Sequence, residues 1–207
     1  MRLRKLELKD ADGMLEWIND SEVSRYFRFD TSRYEIDQAN NFIKKSWIDQ
    51  TNMHLAVVDE LDEYLGTISL KNIDYYNKNA EYAISLRRKA RGTGAAKKAT
   101  DIILYIAFWG LGLDKVYLNV IKNNYRAISF YKKYGFQFEG ELKKHIIING
   151  EYKDLELYGL FKSKYTESNN DNFESTSLMF NNDIHERNIT MDNIVKSVII
   201  HDNATID

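Results

Sequence analysis

A short stretch that contains two glycines carries the clearest chemistry in this sequence. The stretch "ARGTGAA", residues 90–96, includes Gly92 and Gly94 and directly follows the basic residues Arg87, Arg88 and Lys89. Small residues let a ligand approach the backbone, and the amides that open a following helix attract negative charge, as does the helix dipole. The stretch therefore predicts a site for a phosphate-bearing ligand, with a solvated basic turn as the alternative interpretation.

Three kinds of phosphate-binding loop are candidates for this stretch. A Walker-type loop requires Gly-x-x-x-x-Gly-Lys-Ser/Thr, which is absent here. In the dinucleotide-binding fingerprint, Lys97 takes the place of the third glycine and obstructs close helix–strand packing, while Asp114 precedes the next predicted strand instead of ending it. Arg91, Gly94 and Ala96 match the third pattern, Arg/Gln-x-x-Gly-x-Gly/Ala, without a gap. The spacing thus favours a pyrophosphate loop between a strand and a helix.

The overall composition is that of a globular chain with a hydrophobic core. The chain has 207 residues, of which 43% are hydrophobic and 29% are charged, so one domain, or one domain with a tail, is expected. The formal net charge of -2 does not predict binding to nucleic acid or to a membrane surface. The chain has no cysteine, which excludes disulfides, thiolate zinc sites and a cysteine nucleophile and fits a reducing, cytoplasmic location.

No targeting or membrane-spanning segment is predicted. The basic residues at the N-terminus are not followed by the apolar run of a signal peptide. No window approaches the roughly 18 apolar residues that a membrane helix needs.

Hydrophobic periodicity predicts the elements that position the glycine loop. The predicted strands cover residues 2–8, 54–58, 64–70, 81–86, 115–120, 144–148 and 155–161. One predicted helix begins at Asp10, and the others cover residues 33–49, 95–109 and 124–134. Asn149 and Gly150 predict a tight hairpin between the last two strands. This order of elements predicts an α/β (α+β) domain around one sheet.

The last part of the chain differs in composition from the rest. Beyond about residue 165, Ser, Asn and Asp dominate. We therefore predict one domain over residues 1–163 and a polar C-terminal extension over residues 164–207, accessory or poorly packed. The extension has one apolar patch, residues 194–200, whose periodicity does not distinguish a strand from a helix.

Four stretches, in order, resemble the GNAT N-acetyltransferases. "AEYAISL" is similar to the family's splayed central strand, and "ARGTGAA" is similar to its pyrophosphate loop. "NYRAISFYKKYGF" resembles the pattern Asn-x-x-Ala-Ile-x-x-Tyr-x-Lys-x-Gly-Phe, and "EGE…INGEYKDLELYGL" resembles the closing hairpin of the bacterial, Rim-like branch. The resemblance covers about residues 1–163, and it departs from the family in lacking the usual proline before the loop.

The resemblance implies a fold and a co-substrate. The expected GNAT fold has a central mixed, mostly antiparallel sheet that is splayed at the coenzyme A site and flanked by helices on both faces. Acetyl-CoA is the expected co-substrate, with its pantetheine arm along the backbone of Ile84 and Leu86 and its pyrophosphate on the loop amides. Plain sheet core is the alternative for Ile84 and Leu86, and helix capping is the alternative for Asn124. The cofactor residues implied are Ile84, Leu86, Arg91, Gly92, Thr93, Gly94, Ala95, Ala96, Asn119 and Asn124.

The resemblance also implies the catalytic residues of a direct transfer in a ternary complex. Tyr131 lies where the family commonly has the general acid that protonates the departing thiolate, and a core tyrosine is the alternative. Glu81 lies where several members have the carboxylate that deprotonates the amine, and a surface carboxylate is the alternative. His54 and His145 are other candidates for the base. Neither histidine has a metal ligand nearby in sequence, and no metal site is expected.

The resemblance further implies an acceptor site between the first helix pair and the final hairpin. We expect a small amine or an amino sugar as acceptor, with a protein N-terminus or a non-catalytic CoA-binding module as alternatives. A homodimer is the expected assembly. The candidate acceptor residues are Arg25, Tyr26, Phe29, Tyr75, Tyr76, His145 and Tyr152.

Overall fold

The computed structural model describes residues 1–27 and 34–168, and only the backbone of residues 166–168. The strands are β1 (Arg2–Lys5), β2 (Met53–Val58), β3 (Tyr64–Asp74), β4 (Asn79–Leu86), β5 (Lys115–Ile121), β6 (Gln137–Ile148) and β7 (Glu151–Phe161). The α-helices are α1 (Ala11–Ile18), α2 (Ser21–Ser24), α3 (Ile36–Ser46), α4 (Ala95–Tyr105), α5 (Tyr125–Lys133) and α6 (Lys162–Ser168). Short 3-10 turns cover Leu8–Asp10 and Arg88–Ala90, and a π-helical turn, Ile106–Gly110, continues α4.

Within the described residues, the seven strands form one sheet in the order β1-β2-β3-β4-β5-β7-β6. Only β4 and β5 pair in parallel, and every other neighbouring pair is antiparallel. The mixed, mostly antiparallel sheet that the resemblance implied is confirmed. The Asn149–Gly150 hairpin is also confirmed, because both residues have positive φ (51° and 80°) between β6 and β7.

Helices cover both faces of the sheet. One core packs α1 and α3 on β2, with Met14, Ile18 and Ile43 buried against Ala56 and Val58. The second core lies on the opposite face, beneath α4, its π-helical turn and α5. Its members include Ile68, Tyr82, Ile103, Phe108, Leu118 and Ile128. The two cores fix the helices relative to the sheet, as the alternating strand pattern predicts.

The sheet opens between its two central strands. β4 pairs with β5 only at Asn79, Ala80 and Glu81, whereas β4 continues to pair with β3 as far as Leu86. β5 meanwhile follows β7 to Ile121. The strands therefore diverge after Glu81, which confirms the splay expected at the coenzyme A site.

Several element bounds differ from those predicted. β6 begins at Gln137, not at residue 144, and its extra residues include Glu139 and Glu141. β6 is an edge strand, where charges are tolerated, and Lys115 and Lys122 pair with these two glutamates. The predicted start of the second helix at Arg33 lies outside the described residues.

The polypeptide continues as helix across the domain boundary predicted after residue 163. In α6, the buried Tyr165 packs against Phe108 and Trp109, with ring centroids 5.6 and 6.1 Å apart. Lys162 Nζ donates to the Phe108 carbonyl over 2.8 Å. The rest of the predicted extension, including residues 194–200, lies outside the described residues. No helix in the described ranges combines the length and the apolar character that crossing a membrane requires.

Candidate active site

The gap between β4 and β5 leaves part of β4 without a neighbouring strand on one side. Beyond Glu81, no strand among the described residues pairs with the β5-facing edge of β4. Residues Ala83, Ile84, Ser85 and Leu86 are only half-buried although β4 lies in the middle of the sheet. An extended ligand that bonds to backbone, as an added strand does, fits such an edge.

The glycine loop lies between the end of β4 and the start of α4. Gly92 and Gly94 have φ of 79° and 84°, in the left-handed region that favours glycine, and a Cβ on either would meet nothing within 4 Å. Thr93 Oγ1 donates to the Ala90 carbonyl over 2.8 Å and accepts from the Ala95 amide over 3.3 Å. Gly92, Gly94 and Ala96 donate no amide hydrogen bond within the described part of the chain. Open space, backbone donors and a helix N-terminus fit the pyrophosphate of acetyl-CoA.

The first turn of α4 is tied to its surroundings by two buried or half-buried tyrosines. The Tyr82 hydroxyl lies 2.8 Å from Thr100 Oγ1, which donates to the Ala96 carbonyl over 2.7 Å. The Tyr134 hydroxyl donates to the Lys97 carbonyl over 2.7 Å. These bonds hold the helix end that faces the loop.

The basic residues around the loop are paired with carboxylates. Arg91 contacts Asp20 Oδ2 through Nη2 at 2.6 Å and Glu22 Oε2 through Nη1 at 3.0 Å. Arg88 lies 3.5 and 3.4 Å from the same two carboxylates. The acids belong to the α1–α2 corner, so the loop is joined to the first helices by ion pairs that sequence analysis missed.

The other two members of the basic run are paired as well. Arg87 binds Glu16, and Lys89 binds Glu63. Because the positive charge is offset locally, the backbone amides and the helix dipole of α4 are the groups that face an anion most directly.

Glu81 is a nearly buried carboxylate, 7% exposed, on the last residue that β4 pairs with β5. Its Oε1 accepts from Lys71 Nζ over 3.0 Å, and its Oε2 accepts from Asn72 Nδ2 over 3.2 Å. Tyr117 is its register partner on β5, and burial, assisted by the charge of Glu81, raises the pKa of Tyr117. Glu81 is therefore not the surface carboxylate that its sequence position also allowed.

Tyr131 lies on the other face of the sheet, in α5. Its ring packs against Tyr82 and Phe136, with both centroids 5.9 Å away. Burial raises the pKa of Tyr131 to about 12, so the phenol is protonated at neutral pH. Among the described residues no group hydrogen-bonds its hydroxyl. A protonated, half-buried phenol can donate a proton to a thiolate.

The two predicted cofactor asparagines occupy different elements. Asn124 is the N-cap of α5, and its side chain accepts from the Ala127 amide over 3.3 Å. Asn119 lies on β5, two residues beyond Tyr117 and on the same face of the sheet as Glu81.

The candidate acceptor residues lie at two ends of the central strands. Arg25 and Tyr26 follow α2, where the Arg25 guanidinium lies 4.8 Å from the Tyr26 ring centroid. His145 and Tyr152 are exposed on the part of the β6–β7 hairpin that extends past the end of β5.

The remaining candidates are separated from these residues or outside the description. Tyr75 and Tyr76 lie in the β3–β4 turn, at the opposite end of β4 from the glycine loop, and are 51% and 93% exposed. Phe29 lies outside the described residues. The acceptor assignments stay predictions.

His54, the other candidate base, is a mostly buried residue on the face of the sheet that Glu81 occupies. Its Nδ1 lies 2.7 Å from Ser69 Oγ, and its ring packs on Phe42 at 4.8 Å. Burial lowers the pKa of His54 to about 4, and the charge of Lys71 lowers it further against the opposing effect of Asp49. In the described ranges, no three histidine, aspartate or glutamate side chains converge as metal ligands.

Comparison with known proteins gives the family. A sequence model of the Acetyltransferase (GNAT) domain matches residues 1–137. The spermidine N(1)-acetyltransferase of Escherichia coli K12 is 31% identical over 80% of this chain and 88% of its own length. An uncharacterized N-acetyltransferase p20 of Bacillus licheniformis is 31% identical over 80% of this chain and 94% of its own.

A solved structure gives the same answer. The spermidine N-acetyltransferase of Vibrio cholerae, in complex with CoA and spermine, superposes with a TM-score of 0.72 at 28% identity, covering 79% of this chain and 96% of that one. The splayed sheet, the glycine loop at a helix N-terminus and these matches agree with each other. The chain belongs to the GNAT family of acetyl-CoA-dependent N-acetyltransferases.

Proposed function

We propose that this protein acetylates the primary amine of a small molecule, either a small amine or an amino sugar. The observation that carries the proposal is the gap between β4 and β5, because Glu81 and Tyr131 lie near its start on opposite faces of the sheet. The names of its relatives from Escherichia coli and Vibrio cholerae, both spermidine acetyltransferases, support a small amine.

The backbone around the gap supports the proposed cofactor roles. We assign the pantetheine arm to the free edge of β4 at Ile84 and Leu86, and the pyrophosphate to the loop from Arg91 to Ala96. The left-handed glycines and the amides at the start of α4 support this assignment. Asn119 is proposed as a further contact to the arm. The side-chain oxygen of Asn124 caps α5, and its side-chain nitrogen Nδ2 is proposed to contact the arm as well.

Burial and hydrogen bonding support the proposed catalytic roles. We assign Glu81 as the general base that takes a proton from the acceptor ammonium, directly or through water, so that the neutral amine attacks the thioester carbonyl. We assign Tyr131 as the general acid that gives its proton to the departing thiolate. The pKa of Tyr131, raised to about 12, supports a phenol that is neutral and protonated before each transfer. With no cysteine in the chain, direct transfer in a ternary complex is the proposed route.

The setting of the enzyme is also a proposal. The absence of cysteine supports the cytoplasm as its location, and the bacterial origin of its named relatives supports a bacterial source. A homodimer is the proposed assembly, which light scattering of the purified chain measures.

An acceptor panel tests the proposed function. Acetyl-CoA is incubated with spermidine, spermine, putrescine, glucosamine, nucleotide-linked amino sugars and short peptides, and free thiol release is recorded. We expect turnover with a small amine or an amino sugar and none with peptides. Turnover with peptide N-termini alone identifies a protein acetyltransferase instead. Tight CoA binding without turnover on any amine identifies a non-catalytic CoA-binding module.

A further inference from the structure

Two consecutive residues of β3 hold the same carboxylate. Lys71 Nζ binds Glu81 Oε1 at 3.0 Å, and Asn72 Nδ2 binds Glu81 Oε2 at 3.2 Å. In a regular strand, neighbouring side chains point to opposite faces of the sheet. The backbone of β3 must therefore depart from regular geometry at this point.

A bulge supplies that departure. Lys71 pairs with Glu81, but the next paired residues are Asp74 and Asn79, so β3 has one residue more than β4 in this interval. Asn72 has a φ of 50°, in the left-handed region that asparagine adopts more readily than other residues with a side chain. The bulge turns the side-chain amide of Asn72 to the face of the sheet that carries Lys71 and Glu81.

The bulge is braced from the turn that follows α3. The backbone amide of Asn72 donates to Asn52 Oδ1 over 2.9 Å, and the backbone amide of Ile73 donates to the Thr51 carbonyl over 2.8 Å. Asn52 is in turn held by Asp49, which accepts from its backbone amide and its side chain at 2.9 and 2.8 Å. A chain of hydrogen-bonded residues thus runs from Asp49, in the turn after α3, to Glu81.

We propose that Asn72 is a positioning residue that orients the Glu81 carboxylate toward the gap between β4 and β5; this inference rests on the proposed role of Glu81 as base. A general base acts only if its lone pair is within hydrogen-bond reach of the proton, directly or through one water. Bonds to both oxygens fix the plane of the carboxylate, and a carboxylate that accepts two hydrogen bonds still accepts others. Lys71 supplies the charge partner, and Asn72 supplies the direction.

The test removes the amide and keeps the bulge. Asn72→Gly deletes the side chain, and glycine adopts a φ of 50° without strain. Asn149→Gly is the matched control, because Asn149 has a φ of 51° in the β6–β7 turn. Kinetics are measured with acetyl-CoA and the panel amine of highest turnover, alongside thermal unfolding. We expect kcat to fall about tenfold in Asn72→Gly with the KM for acetyl-CoA unchanged, and both values to stay as in the wild type in Asn149→Gly.

A double-mutant cycle with Glu81→Gln separates this role from a structural one. If Asn72 acts through Glu81, Asn72→Gly has little further effect on kcat in the Glu81→Gln background. The same tenfold loss in both backgrounds overturns the positioning role. A large loss in Glu81→Gln with full activity in Asn72→Gly also overturns it but leaves Glu81 as the base. Full activity in Glu81→Gln overturns the base assignment and, with it, this inference.

Discussion

Tyr131 lies edge-on against Tyr82, with ring centroids 5.9 Å apart and ring planes at 84°. Tyr82 directly follows Glu81 on β4, so the two residues point to opposite faces of the sheet. The contact therefore fixes the phenol of α5 beside the point where β4 and β5 separate. Glu81 and Tyr131 therefore lie on opposite faces of the sheet near the start of the gap between these strands.

Removal of the Tyr131 hydroxyl is expected to slow the release of coenzyme A. Tyr131→Phe keeps the ring contacts with Tyr82 and Phe136 and removes the proton donor, so thiol release should fall on the order of 100-fold. Tyr125→Phe, at a 72% exposed position of the same helix, is the control and should leave turnover unchanged. Unchanged turnover in Tyr131→Phe removes the phenol from the mechanism.

The pH dependence of turnover gives a second test of the same phenol. Because burial raises the pKa of Tyr131 to about 12, its proton stays in place throughout the accessible alkaline range. Initial rates at saturating substrate should therefore show no falling limb due to this residue between about pH 7 and pH 10. An alkaline limb in the wild type that disappears in Tyr131→Phe contradicts the raised pKa.

A side chain at Gly94 is expected to weaken coenzyme A binding. Gly94→Ala adds a methyl group where the ligand would approach the backbone, and CoA affinity measured by calorimetry should fall about tenfold or more. Gly112→Ala is the control, because Gly112 also has positive φ and open space around it but lies after α4. Both variants should lose about 1 kcal/mol of stability from backbone strain. Equal CoA affinity in the two variants sinks the loop assignment.

Release of the loop arginines from their acid partners is expected to tighten coenzyme A binding. Asp20→Asn keeps an efficient N-cap on α2 and removes a carboxylate that pairs with Arg91 and Arg88. With one negative charge less near the loop, CoA should bind about two- to fivefold tighter at low salt, and the gain should vanish at high salt. Glu60→Gln, at the exposed β2–β3 turn, makes the same charge change as a control. A loss of affinity in Asp20→Asn shows instead that the ion pair shapes the loop.

Acid should destabilise the fold through His54. Burial lowers the pKa of His54 to about 4 from an ordinary value of 6.5. Between these two pH values, His54 is therefore protonated in the unfolded chain but neutral in the folded chain. The free energy of unfolding therefore falls as the pH drops from about 6.5 to 4, by up to about 3 kcal/mol from this residue. Denaturant titrations of His54→Gln, which retains a partner for Ser69, should show a shallower decline. An identical slope in the two proteins refutes this contribution.

Tyr165 is expected to contribute to the stability of the domain although it lies beyond residue 163. Its ring fills the space against Phe108 and Trp109, and Tyr165→Ala should cost about 3 kcal/mol in the free energy of unfolding. Tyr165→Phe keeps the packing and should cost much less. A negligible effect of Tyr165→Ala would place the end of the folded domain before α6.

The sequence by itself determined the family, the order of the elements and the position of the glycine loop. These features depend on local rules: alternation and helical spacing set strands and helices, and glycines mark backbone that a ligand approaches. Gly92 and Gly94 are therefore recognisable from neighbours a few residues away, whereas Glu81 and Tyr131 were identified by the resemblance of their stretches to the GNAT family. The predicted strand began at residue 144, whereas β6 begins at Gln137, and the glutamates in its first half pair with lysines distant in sequence.

Only the tertiary structure decided what surrounds those residues. Arg91 reads as a free cation in sequence, but the fold brings Asp20 to it across 71 positions. The second donor on Glu81, Asn72, depends on a one-residue bulge in β3, which arises from pairing between strands and from the turn after α3. Such contacts are set by register and packing between distant segments, and no local pattern encodes them.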